Sequence, residues 1–198
     1  MREERLNANF IGLNVVICGA PMTGKTTAAA SLTLLSSREN PVGFLGVSAR
    51  EEAKMYPAMP EVHIHTPRGL YNVLTKYVEN ITLLPKRLLN DRNIPKLFVV
   101  FDEWYGIPTQ FNLNGPLLGT KNVTSVICCQ VYPPPEVLSG EEWVPDRILF
   151  THPAAIELYA ESRPGTRVPT EAFDVCCRRR HYLSFDPAAR KWSEVIPA

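Results

Sequence analysis

An excess of charge of one sign, a membrane-length apolar run and a disulfide framework are all missing from this chain. The 21 basic and 20 acidic residues leave a formal net charge of +1. Bulk charge therefore argues neither for nor against nucleic acid, and any binding of a polyanion must come from local patches. No apolar stretch approaches the roughly 20 residues that a membrane-spanning helix needs, so no direct membrane span is expected. The five cysteines are odd in number and include two adjacent pairs, Cys128–Cys129 and Cys176–Cys177. That spacing does not build a disulfide scaffold, and it points to a reducing compartment. His63 and His65 alternate on an extended segment with no third ligand close in sequence, which favours a structural role over a metal site. There is no internal repeat and no low-complexity tail.

Proline is plentiful, with 18 residues. It punctuates the chain into short units without marking a domain boundary, and 198 residues with 45% apolar content suit one α/β domain spanning 1–198. Strands are expected at 14–18, 42–47, 96–101, 123–131 and 148–150, and helices at 26–35, 153–161 and 169–179. Thr66-Pro67 reads as a helix start, and Leu70, Val73, Leu74, Tyr77, Val78 and Ile81 then form one apolar stripe. Residues 182–185 and 192–195 flank a turn at 186–190, a terminal β-hairpin. Residues 10–20 have the length of a signal-peptide core. The mixed charges of Arg2-Glu3-Glu4-Arg5 before them, and the glycine-lysine loop directly after, favour a buried strand instead. Strands alternating with helices imply a mostly parallel sheet covered on both faces.

The strongest chemical signal is Gly19-Ala20-Pro21-Met22-Thr23-Gly24-Lys25-Thr26, which matches G-x-x-x-x-G-K-[ST] at every fixed position, with Thr27 following in the helix. The glycines let the backbone curl so that N–H groups face phosphate oxygens, and the helix start adds its positive dipole end. Lys25 carries charge to the β- and γ-phosphates of ATP, and Thr26 supplies a hydroxyl for Mg²⁺. The apolar run Leu97-Phe98-Val99-Val100-Phe101 then delivers Asp102 and Glu103 at a strand's carboxyl end, where ligands bind in open α/β sheets. Asp102 suits Mg²⁺, and Glu103 suits the general base that polarises water. Gln130 ends the next strand, where an amide can sense the γ-phosphate and the water together. The strand at 42–47 falls between Lys25 and Asp102 in sequence. That extra strand and the adjacent glutamate resemble the hydrolase branch of P-loop proteins, whose hallmarks are an additional strand and a catalytic glutamate.

The order of P-loop, Asp-Glu after an apolar strand, and strand-Gln resembles the FtsK–HerA superfamily. Within it, the chain is similar to viral genome-packaging ATPases of the poxvirus, giant-virus and membrane-containing-phage type. Val144-Pro145-Asp146-Arg147-Ile148-Leu149-Phe150 resembles that family's arginine before a short strand, and His181-Tyr182-Leu183-Ser184-Phe185-Asp186 with Trp192 resembles its closing hairpin. The prolines at 133–135 depart from the pattern. The resemblance implies an ATPase that drives double-stranded DNA into a preformed capsid as a homo-oligomeric ring, a pentamer or hexamer. It also implies capsid vertex proteins as partners and a place in the host cytoplasm or in association with the virion. It calls for an arginine finger, for which Arg147 is the first candidate, with Arg163 and Arg167 behind it.

Two rivals remain. The thymidine-kinase family has a similar loop and an acidic strand end, and Arg163-Pro164-Gly165-Thr166-Arg167 could serve as a kinase lid; that family's zinc-binding C-x-x-C pairs are absent. A filamentous-phage assembly ATPase would need a transmembrane segment. Arg178-Arg179-Arg180-His181 is the densest basic run. It suits either phosphate contacts in a ring pore or a helix end. Cys128 and Cys129 point to opposite faces of a strand and read as core. Trp104 and Tyr105 favour core packing over stacking on a base.

Overall fold

The computed structural model describes residues 1–6, 10, 12–39, 42–48, 62–64, 96–102, 123–130 and 145–197. The stripe at 70–81, His65, Glu103, Trp104, Tyr105 and the prolines at 133–135 lie outside these residues. Among the described residues nine strands form one sheet: β1 (Arg2–Leu6), β2 (Asn14–Cys18), β3 (Val42–Ser48), β4 (Val62–Ile64), β5 (Lys96–Asp102), β6 (Val123–Cys129), β7 (Arg147–Phe150), β8 (Tyr182–Asp186) and β9 (Lys191–Pro197), in the spatial order β1-β9-β8-β7-β2-β6-β5-β3-β4. The stretch from β7 through β2, β6, β5 and β3 to β4 is parallel throughout. Only β8 runs the other way, which makes β8 and β9 the expected C-terminal hairpin. Three helices are described: α1 (Lys25–Glu39), α2 (Pro153–Ser162) and the short α3 (Ala172–Cys177).

Strand β2 is buried along its whole length, and burying each Val or Ile side chain contributes about 1.5–3 kcal/mol. Side chains alternate between faces along a strand, and this divides the core in two. Val15, Ile17, Val126, Cys128 and Leu149 pack with Ala28, Ala29 and Leu32 of α1. Phe150, on the opposite face, meets Tyr159 of α2 with ring centroids 5.5 Å apart, and Tyr159 meets Phe185 at 5.6 Å. The sheet is thus covered on both faces, as the alternation of elements predicted. Cys128 faces α1, while Cys129 faces Cys18 across the other side with sulfurs 3.3 Å apart. All five thiols are free.

One expectation is corrected. Residues 42–47 precede the acidic strand in sequence, but β3 pairs on the outer side of β5. The strand inserted between β2 and β5 is β6. Chain order and spatial order diverge because parallel neighbours need crossover connections, which are free to skip a position in the sheet.

Strand β1 has no strand signature in the sequence. Arg2-Glu3-Glu4-Arg5-Leu6 has no apolar alternation, and only Leu6 is buried. It pairs in parallel with β9 at the sheet's edge, where backbone hydrogen bonds rather than side-chain burial hold a strand, and where charged side chains blunt further pairing. The helix expected at 169–179 contracts to the six residues of α3. Among the described residues no helix is long and apolar enough to cross a membrane.

Candidate phosphate-binding site

The loop from Gly19 to Gly24 connects the carboxyl end of β2 to α1 and is tied down at several points. The Gly19 N–H donates to the Cys129 carbonyl of β6 at 3.2 Å. The Thr23 hydroxyl donates to the Ala20 carbonyl at 2.8 Å and lies 2.6 Å from the Thr151 hydroxyl. Lys25 is 9% exposed, and its ammonium donates to the Ala20 carbonyl at 2.8 Å, folded over the loop. Gly24 has φ of 96°, a left-handed conformation that glycine adopts without steric cost. Its carbonyl accepts the Ala28 N–H at 2.9 Å, an early hydrogen bond of α1. Met22 also has positive φ, 63°, and is fully exposed at the loop's tip. Pro21 and Thr27 are exposed and Thr26 is half-buried.

Thr151 lies outside the sequence motifs and joins the loop only in the fold. It is the first residue past β7, its N–H donates to the Cys18 carbonyl at 2.9 Å, and its hydroxyl meets Thr23. A polar residue closing an apolar strand just before His152-Pro153 was the available signal. His152 is the N-cap of α2, its Nδ1 accepting the Ala154 N–H at 3.2 Å, and Pro153 opens the helix. A Cβ built on Gly19 would stand 1.9 Å from the Thr151 hydroxyl and 2.7 Å from that of Thr23. Gly19→Ala is therefore expected to destabilise the protein by about 1–3 kcal/mol, the usual cost of overpacking, and to weaken nucleotide binding. A urea midpoint equal to that of the unaltered chain would show that Thr151 moves aside freely.

The sheet brings several of the predicted positions to one edge. Cys18, Cys129 and Phe150 are register partners, so Gly19, Gln130 and Thr151 leave the sheet side by side. Asp102 closes β5 one strand further on, about 10 Å from β2 at the usual strand spacing. Gln130 sits just past β6 in a bend and is exposed. Thr26 and Asp102 offer hard oxygen donors, the type that suits Mg²⁺ and not a soft metal. Among the described residues no group of three or more His, Cys, Asp and Glu side chains could hold a metal by itself. Burial first, then the adjoining Cys129 thiol, push the Cys18 thiol well above its ordinary pKa. It remains a protonated core group beneath the loop.

Arg147 is not brought to this edge. It opens β7 opposite Val15, about 13 Å along the strand from the level of Gly19, and its guanidinium is bonded to Asp186 Oδ2 at 2.5 Å and to the Asp146 carbonyl at 2.8 Å. The Asn14 N–H donates to Asp146 Oδ2 at 2.7 Å, which fixes that end of β7. Arg163 follows the last residue of α2, a helix length of about 15 Å from Thr151. The Arg163-Pro164-Gly165-Thr166-Arg167 turn is thus remote from the loop of its own chain, which counts against its use as a lid over that loop. Arg178 and His181 both bind Glu194 Oε1, at 2.9 and 2.6 Å, while Arg179 and Arg180 are exposed. The run stands past the end of α3 and leads directly into β8. Leu183 pairs with Phe150, so the arginines emerge at the same sheet edge as the loop.

A mostly parallel sheet with α1 leaving a glycine-lysine loop, and with one strand inserted between the loop strand and the acidic strand, is the fold of a P-loop nucleoside triphosphatase. Among solved structures, the chain is similar to the genome packaging NTPase B204 from Sulfolobus turreted icosahedral virus 2. In that protein's complex with ATP-gammaS the TM-score is 0.61 at 11% identity, covering 94% of this chain and 98% of that one. For its complex with AMPPCP the values are 0.60 and 12% with the same coverage. B204, the DNA-packaging ATPase from Sulfolobus turreted icosahedral virus, matches with a TM-score of 0.56 at 14% identity, again over 94% and 98% of the two chains. No family model and no curated protein sequence matches.

Proposed function

We propose that the chain is a single ATPase domain that hydrolyses ATP with Mg²⁺ and translocates double-stranded DNA, packaging a viral genome into a preformed capsid. The observation that carries this reading is the convergence of the Gly19 loop, Asp102 and Gln130 on one edge of a sheet whose inserted strand is β6. The likeness to packaging NTPases over 94% of the chain supports the choice of DNA as the cargo. In this reading the backbone of Gly19, Ala20, Pro21, Met22, Thr23 and Gly24 cradles the phosphates with Lys25, Thr26 and Thr27. Thr26 and Asp102 would hold Mg²⁺, which would supply charge neutralisation on the phosphates. Glu103 polarises the attacking water, and Gln130 senses the γ-phosphate. Several subunits form a ring, a pentamer or hexamer, in the host cytoplasm or at the capsid vertex. Arg147 of one subunit completes the site of the next. Exposed Arg179 and Arg180, repeated around a ring, suit contacts with DNA phosphates.

The test follows from the near-neutral net charge, because one subunit binds DNA poorly and a ring multiplies its contacts. ATPase activity is expected to rise faster than linearly with protein concentration. Duplex DNA should stimulate it, and added salt should suppress the stimulation. Arg147→Ala and Lys25→Ala subunits should each be inactive alone and regain activity when mixed, since an arginine finger is worth about 10³–10⁵ in rate. Linear concentration dependence, no rescue and no response to DNA together reject the motor. Stimulation by a nucleoside in place of DNA would favour the kinase reading. Failure of rescue alone rejects Arg147 as the finger and moves the test to Arg163 and Arg167.

A further inference from the structure

A second concave site lies beside α2, about a helix length from the phosphate loop. It is a cavity of about 810 Å³ lined by Tyr159, Arg163, Arg167, Phe185, Arg190 and Trp192, among others. Two tight turns form its sides. In one, Pro164 and Gly165 occupy the centre of a turn closed by the Thr166 N–H on the Arg163 carbonyl at 3.1 Å, with Gly165 at φ of 92°; this is the type II signature, with Pro second and Gly third. In the other, the β8–β9 connection, Asp186 Oδ1 accepts the Ala189 N–H at 2.9 Å and Arg190 has φ of 52°. The Trp192 indole N–H donates to the Arg167 carbonyl at 2.9 Å and ties the two turns together. Its ring packs on Phe185 with centroids 4.4 Å apart, so the aromatic wall is held in place before any ligand arrives.

The charge of the cleft is one-sided. No carboxylate is among the described residues that line it. Asp186 beside it is paired with Arg147, and among the described residues no acid pairs with Arg167 or Arg190. Guanidinium groups match phosphate oxygens in bidentate geometry, an indole wall suits the flat face of a base, and the volume is that of a small-ligand site. We propose that this cleft is a second nucleotide site. It takes one phosphate-bearing nucleotide unit, with the phosphate on Arg167 and Arg190 and the base against Trp192. The unit could come from a free nucleotide or from a nucleic-acid strand, which share this chemistry. The proposal does not rest on the reading of the phosphate loop.

The Trp192 indole N–H is the probe, followed by ¹H–¹⁵N NMR in Lys25→Ala protein, where the phosphate loop is disabled, and assigned with Trp192→Phe. Deoxyadenosine monophosphate, a short single-stranded deoxyadenosine oligomer, a duplex and hexaglutamate are titrated separately. A shift with the monophosphate or either DNA supports the site, and their relative affinities identify the source. Arg167→Ala with Arg190→Ala is expected to weaken that binding roughly tenfold or more. Arg167→Lys with Arg190→Lys keeps the charge without the planar fork and should fall in between. No Trp192 shift with any nucleotide at millimolar concentration overturns the proposal. So does an equal affinity in the alanine pair, or a response to hexaglutamate alone.

Discussion

Lys25→Ala is expected to weaken nucleotide binding, with an affinity loss of roughly thirtyfold to several thousandfold in calorimetry. That range corresponds to the about 2–5 kcal/mol lost when one partner of a desolvated charged pair is truncated. The expectation rests on position. Lys25 is the first residue of α1, only 9% exposed, and its ammonium lies over the loop against the Ala20 carbonyl. A phosphate offers that ammonium a stronger, charged acceptor than a neutral carbonyl does. Lys25→Met keeps most of the apolar stem and should give the same loss, which separates charge from packing. Unchanged affinity in both variants would sink the assignment of the loop.

Glu103→Gln is expected to give the second large effect, on turnover and not on binding. The substitution keeps the size of the side chain and removes its basicity, so ATP affinity should hold while hydrolysis falls by about 10²–10⁴, the usual contribution of a general base. Asp102→Asn should differ in kind, weakening the Mg²⁺-dependent part of ATP binding. A single-turnover measurement at saturating ATP distinguishes them. Wild-type hydrolysis in Glu103→Gln would remove Glu103 from the role of base, and with it much of the case for a hydrolase.

The resemblance named from three short motifs agrees with the structure at the level of fold. It was legible because each motif answers to local physics. Gly24 needs positive φ, the buried β2 needs a continuous apolar run, and an acid at the end of β5 needs only a strand that stops there. Cys128 and Cys129 were legible as core for the same reason, since alternation alone sends them to opposite faces. The hairpin of β8 and β9 was written in Asp186, whose carboxylate closes its own turn.

Other features depend on residues far apart in the chain. The sequence by itself determined the glycine-lysine loop, the acidic strand end, the terminal hairpin and the α/β alternation, because these rest on backbone conformation and burial within a few consecutive residues. Only the tertiary structure decided that β6, and not β3, lies between the loop strand and the acidic strand. It alone revealed that Thr151 braces Thr23, that the polar segment Arg2–Leu6 becomes an edge strand beside β9, and that Arg147 is paired with Asp186 at the far end of β7. Each of these is a contact between segments whose local preferences are indifferent to it. Strand order and long-range hydrogen bonds are selected by the joint packing of the whole sheet, and no short window of sequence carries that information.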